Sequence, residues 1–167
     1  MGAPASDCPR IRVAAAIPAA GGLVVVRQHK GDRSYVLLPG GGVRWGEPLV
    51  AALAREVTEE IGLTISVERL LFVNDTIAPD GGKHVVNITF LAQATSRIED
   101  ATPQDPAIDA VEVVPFEALR GIDLRPPIAD EIAAFFCGET SRAATYLGAR
   151  WVPDDRLAPS TEQSAPQ

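Results

Sequence analysis

Residues 41–63 read GGVRWGEPLVAALAREVTEEIGL, and this stretch governs how the rest of the chain is read. Glu47 and Pro48 mark the start of a helix, an acid near its positive end and a proline in the first turn, and Gly62 marks the end. Along that helix Glu56, Glu59 and Glu60 stand at i, i+3 and i+4, which puts all three on one face. Val50, Leu53, Val57 and Ile61 form a neighbouring apolar stripe suited to docking on a sheet. Like charges at this spacing destabilise a helix by about a few tenths of a kcal/mol, and only Arg55 is interspersed among them. A merely solvated face would mix lysines with its acids. Clustered hard oxygen ligands suit Mg²⁺ or Mn²⁺, whereas Zn²⁺ would favour the His and Cys that are scarce here.

Upstream, Gly40, Gly41 and Gly42 follow Pro39 and permit close backbone approaches that a side chain would forbid. No G-K-[ST] follows them, so the segment is not a P-loop. Gly41, Glu47, Arg55, Glu56, Val57, Glu59, Glu60, Gly62 and Leu63 together spell G-x5-E-x7-R-E-V-x-E-E-x-G-L. At every specified position this resembles the signature of the Nudix hydrolases, which cleave nucleoside diphosphates linked to a second moiety.

The resemblance covers roughly residues 10 to 137 and implies an α+β Nudix fold, a mixed β-sheet sandwiched between α-helices. It also implies roles. Glu56, Glu59 and Glu60 would bind metal together with a backbone carbonyl at Gly40 or Gly41, and Glu56, oriented by Arg55, is the first choice for general base. Some relatives draw the base from a loop outside the motif, where Asp105, Asp109 and Glu112 are the candidates. Glu47 and Arg55, eight residues apart, are placed to pair and brace the glycine loop. The PGGGVRWGE approach and the DLRPP segment at Asp123–Pro127 look like compact ADP-ribose pyrophosphatase-like members. That makes ADP-ribose or a similar sugar nucleotide the leading substrate, with an oxidised (d)NTP as the alternative. A reading of another class is a Nudix-fold module that senses a nucleotide without cleaving it, but such modules commonly lose motif acids that this chain retains.

Working outward, Arg10–Ile17 and Leu23–Gln28 read as two paired strands about a Gly-Gly turn, and Tyr35–Leu38 as a third strand after a polar turn at 29–34. Ile65–Thr76 and His84–Ala94 read as a hairpin, and Val111–Val114 as a last strand after a polar stretch. Phe116–Arg120 and Ile128–Phe136 suggest terminal helices, the second following Pro126-Pro127. Residues 1–9 and 153–167 lack periodicity and read as disordered, leaving 138–152 as a C-terminal extension.

Residues outside the motif that could meet substrate are Arg27, Lys30 and Arg33 for phosphate and Tyr35, Phe72 and Phe90 for a base, with His84 a further candidate. Surface charge and core packing are the plainer readings of these. Trp45, at an unrestricted motif position, reads as a surface or packing residue.

The chain has 167 residues and a net charge of −7, so one domain is expected and a sequence-independent grip on nucleic acid is not. Val13–Val26, the longest apolar run, is broken by Pro18, Gly21 and Gly22 and is too short to span a bilayer. It also lacks the basic flank of a signal peptide. Met1-Gly2 with Ser6 fits the loose myristoylation pattern, yet no polybasic segment supplies a second membrane signal. Cys8 and Cys137 give no disulfide framework, which fits a reducing, cytoplasmic setting. The expected partner is a nucleotide-type small molecule, with neither nucleic acid nor membrane; dimers are frequent in the family, so a homodimer is left open.

Overall fold

Apolar residues fill both faces of the second half of strand β1 (Arg10–Ala16) and of the first half of strand β3 (Gly22–Lys30) in a computed structural model that describes residues 8–140 and 143–152. Val13, Ala15, Val24 and Val26 enter one core, while Ala14, Ala16, Leu23 and Val25 enter a second on the opposite side. A strand buried on both sides shows a continuous apolar run rather than alternation, and such a run does not identify its partner. This is why the expected β1–β3 hairpin is not what forms. β1 pairs in parallel with β6 (His84–Ala94), from Arg10 opposite Val85 to Ala16 opposite Leu91. β3 pairs antiparallel with the two-residue β2 (Pro18–Ala19), with β4 (Arg33–Leu37) and with β7 (Ala110–Pro115).

The polar turn expected over 29–34 shrinks to Gly31 and Asp32, because β3 and β4 both run longer than their apolar residues. The expected hairpin of β5 (Ile65–Ile77) with β6 is present and antiparallel. β8 (Thr145–Ala149), inside the C-terminal extension, joins β5 in parallel. The described strands therefore make two four-stranded sheets, β1-β6-β5-β8 and a second built on β3. The first is mixed, and the strand layer lies between helices on its two sides, as the α+β expectation requires.

Helix α1 (Leu49–Ile61) buries Ala52, Leu53, Val57 and Ile61 against the first core and ends on Gly62 in the left-handed conformation. Val50, expected in that stripe, stays 51% exposed in the first turn. Leu49 and the small Ala52 pack there instead. On the other side α2 (Ala129–Phe136) buries Ile132 and Ala133. The helix expected near Phe116–Arg120 is a 3₁₀ helix, Phe116–Gly121, and its Phe116 ring stacks on Phe136 at 4.7 Å. Cys137, expected within the apolar stretch, is exposed, as is Cys8. Among the described residues no helix is long and apolar enough to cross a membrane. Most of the two ends expected to be disordered, together with Gly2 of the myristoylation pattern, lies outside the described residues.

One segment positions the site. After β4 the chain crosses to the edge of β1 not taken by β6. There the Ala15 N–H donates to the Pro39 carbonyl (2.8 Å), the Val13 N–H to Gly41 (3.0 Å) and the Val43 N–H to Ile11 (3.0 Å). α1 begins six residues later and packs over the same strand, so the glycine loop and the acidic helix face share one rigid support. Leu53, fully buried in that contact, tests the docking: Leu53→Ala should lower unfolding free energy by about 2–5 kcal/mol in urea titration. An unchanged midpoint would mean that α1 is not held by this core.

Candidate active site

Gly41 lies so close to α1 that a Cβ built on it would stand 2.0 Å from a carboxylate oxygen of Glu56. Any side chain there would expel Glu56 or shift the loop. Gly40, at φ 141°, occupies a backbone region that other residues avoid, and its Cβ would meet the Val13 carbonyl at 2.2 Å. Its N–H donates to Glu60 Oε2 at 2.8 Å. The two glycines thus press the loop onto β1 on one side and onto the acids of α1 on the other.

Arg55 closes the junction. Its Nε and Nη2 donate to the two carboxylate oxygens of Glu47, both at 2.8 Å, and Nη2 also reaches the Gly42 carbonyl at 3.1 Å. Nη1 donates to Glu56 (2.7 Å) and Glu59 (3.0 Å). The expected Glu47–Arg55 brace is therefore present, as a bidentate pair. Glu47 serves that pair rather than the helix start as such. With Arg55 and the Arg44 backbone N–H as donors, its pKa is held down at about 2, and the surrounding carboxylates raise that of Arg55.

Glu60 behaves differently. Burial is the main influence and pushes its pKa up to about 7; the Gly40 N–H and Arg12 oppose this, while Glu56 and Asp105 add to it. Asp105 follows the segment that covers the end of α1, where the Gln104 N–H donates to the Glu60 carbonyl at 2.8 Å. The other two loop acids have side-chain partners of their own: Asp109 contacts His29 Nδ1 at 2.7 Å, and Glu112 accepts a bidentate pair from Arg27, at 2.6 and 2.8 Å. Only Asp105 of the three bears on Glu60.

Glu56, Glu59 and Glu60 share a helix face as the spacing requires, but Glu56 and Glu59 accept from Arg55 Nη1 whereas Glu60 accepts from the Gly40 N–H. Among the described residues no three acidic, His or Cys side chains converge as a closed cation site. The physical reason is Arg55, which draws Glu56 and Glu59 to its own Nη1, while Glu60 turns to Gly40.

Sequence reasoning missed Arg12. From β1 its Nη2 donates to the Leu38 and Gly40 carbonyls, both at 3.0 Å, and its Nη1 is buried with no acceptor among the described residues. Burial lowers its pKa, and Glu60 and Glu56 act against that. The signal was available as an arginine directly before the apolar run Val13–Ile17.

Arg12, Gly41 and Gly42 line a cavity of about 350 Å³, together with Lys30, Tyr35 and Arg125. Two of the expected substrate residues, Lys30 and Tyr35, are thus brought to it. Arg27 is paired with Glu112, and Arg33 is not among the lining residues. Phe72 is core on the α2 side, Phe90 packs on the α1 side, and His84 contacts Asp75 at 3.2 Å. Trp45 is fully exposed.

A family profile described as the NUDIX domain matches residues 9–136. The chain belongs to the Nudix hydrolase family. Phosphatase NudJ of Escherichia coli K12 and of Shigella boydii serotype 4 are each 30% identical to this Nudix hydrolase over 134 residues, 78% of this chain and 86% of theirs. Among solved structures, a MutT NUDIX hydrolase from Burkholderia pseudomallei is 33% identical, covering 76% of this chain and 96% of its own, with a TM-score of 0.59. A NUDIX hydrolase from Nitrosomonas europaea has a TM-score of 0.70 at 18% identity over 86% of this chain and 80% of its own, a likeness of fold. The protein is accordingly an enzyme, a pyrophosphohydrolase of nucleotide-type substrates.

The raised Glu60 pKa has a thermodynamic consequence. Between its ordinary value of 4.5 and about 7 the folded protein keeps a proton that the unfolded chain has released. Stability from this group is full below that window and is lost as pH rises through it. Melting in EDTA should show the thermal midpoint falling from about pH 5 to about pH 7.5, with a smaller fall for Glu60→Gln. Equal slopes in the two proteins would remove Glu60 as the cause.

Proposed function

We propose that this Nudix hydrolase cleaves the pyrophosphate bond of a nucleoside diphosphate linked to a second moiety, with ADP-ribose or a similar sugar nucleotide as substrate and Mg²⁺ or Mn²⁺ as cofactor. The observation that carries the reading is the lodging of the Glu56 and Glu60 carboxylates against the backbone of Gly40 and Gly41, beside a nucleotide-sized cavity.

The donor set suits a divalent cation. Glu56, Glu59 and Glu60 offer hard oxygens, and Gly41 leaves space for the Glu56 carboxylate that a Cβ would fill. Burial penalises the charge on Glu60, and a neighbouring dication would relieve that penalty. The Gly41 carbonyl, though bonded to the Val13 N–H, keeps a second lone pair and is the backbone ligand of this reading. When bound, the cation would polarise a phosphoryl oxygen and lower the pKa of the attacking water.

The remaining work falls to the chain itself. Glu56 accepts the proton of the attacking water, and Arg55 Nη1 fixes the carboxylate from its other oxygen. Arg55 also ties that base to the loop through Glu47 and Gly42, so base and loop keep one geometry. Asp105, whose charge reaches Glu60, is the loop acid best placed to assist or replace Glu56. Tyr35 and the Arg125–Pro127 segment, part of the DLRPP sequence, line the cavity and support a sugar-nucleotide substrate.

Assay of ADP-ribose, sugar nucleotides, dinucleoside polyphosphates and oxidised dNTPs should give turnover that requires Mg²⁺ or Mn²⁺, with ADP-ribose or a sugar nucleotide preferred. Full activity in excess EDTA would defeat the metal assignment, and exclusive turnover of oxidised dNTPs the substrate assignment. Glu60→Gln should lower kcat roughly a hundredfold or more while the thermal midpoint at neutral pH does not fall. A fully active variant would make the acidic face structural.

A further inference from the structure

The family match ends at residue 136, but the wall of the cavity does not. Residues Arg150, Trp151 and Val152 line it together with Arg12 and Tyr35. They arrive there on β8, which lies parallel to β5 with Val73 opposite Tyr146 and Asp75 opposite Ala149. Three further contacts fix the segment: the Arg150 N–H donates to the Asp75 carbonyl (2.7 Å), the Tyr146 hydroxyl donates to Asp75 Oδ2, and Arg150 Nη2 pairs with Glu131 of α2 (2.6 Å). This part of the extension is therefore held to both the sheet and a helix.

Two arginines of this cavity carry a buried N–H group with no acceptor among the described residues, Nε of Arg150 and Nη1 of Arg12. Buried guanidinium donors left without an acceptor are unfavourable, and a cavity lined by two such arginines, from β1 and from the end of β8, is built for a ligand that accepts hydrogen bonds. Beside them Trp151 is only half-buried and offers a broad apolar face. Donors for oxyanions next to an aromatic plane match the two chemical parts of a nucleotide.

We propose that β8 and residues 150–152 are a substrate-specificity element, in which Trp151 receives the nucleobase and Arg150 Nε, with Arg12 Nη1, donates to the adjoining phosphate oxygens. This rests on the cavity being the substrate site of the pyrophosphohydrolase. It makes Arg150 and Trp151 binding residues of this chain beyond the boundary of its family domain. Arg12 then has two jobs, holding the glycine loop through Nη2 and meeting substrate through Nη1.

The chain has two tryptophans, and Trp45 is fully exposed. In Trp45→Phe protein Trp151 is therefore the sole indole reporter, and titration with ADP in EDTA should quench its fluorescence saturably. In steady-state assays Trp151→Ala and Arg150→Lys should each raise KM about tenfold with kcat within about threefold of the parent. Arg150→Lys keeps a cation for Glu131 but loses Nε–H, and Trp151→Phe, which keeps an aromatic plane, should remain near the parent KM.

Absence of a saturable quench, or a parental KM in both Trp151→Ala and Arg150→Lys with unaltered thermal midpoints, overturns the proposal. Should either variant fail to fold, the ADP titration of Trp45→Phe decides alone. A quench in a protein that hydrolyses none of the nucleotides would refute the hydrolytic reading and uphold the binding element. Metal-dependent hydrolysis without a quench would do the reverse.

Discussion

Everything in the site depends on the backbone pairing of Pro39–Val43 with the edge of β1 that β6 leaves open. A sheet edge normally satisfies its N–H and C=O groups with another strand. Here the partner is a glycine loop, and the pairing serves two ends. It closes the edge of a strand whose two faces lie in different cores, and it holds the loop at fixed height above α1. Gly40 and Gly41 are the positions where this geometry tolerates no Cβ, the first against β1 and the second against Glu56.

Two arginines stabilise that loop from opposite sides by the same device, a guanidinium shared among several acceptors. Arg55 reaches it from α1 through the Gly42 carbonyl while gathering Glu47, Glu56 and Glu59. Arg12 reaches it from β1 through the carbonyls of Leu38 and Gly40. The three acids around Arg55 have one further cation, Arg44, which meets Glu59 at 3.4 Å, and Glu60 adds a charge that burial disfavours. The excess of negative charge on one side of the loop and the arginines in the cavity on the other give the site its polarity. A net charge of −7 for the whole chain conceals this separation.

Much of the fold could be read locally because its signals are local. The β5–β6 hairpin follows from two long apolar runs about a Pro-Gly turn, and α1 from its period and its terminal Gly62. What misled was the segment from Arg10 to Gln28, where both strands are buried on two faces and so carry no register information. β8 was invisible for a related reason: Thr145–Ala149 is short, contains Gly148, and is a strand only because β5 offers it an edge.

The sequence by itself determined the motif, the helix that bears it and the pairing of Glu47 with Arg55, since residues within one helix and its approach are related by spacing alone. It also determined the family. Only the tertiary structure decided that Glu56 and Glu59 turn to Arg55 while the half-buried Glu60 turns to Gly40, that Arg12 stands behind the loop, and that Arg150 and Trp151 reach the cavity. Those placements join residues from β1, the glycine loop, α1 and the end of the chain. Contacts between such distant segments are set by packing of the sheets and helices, and sequence spacing carries no measure of that.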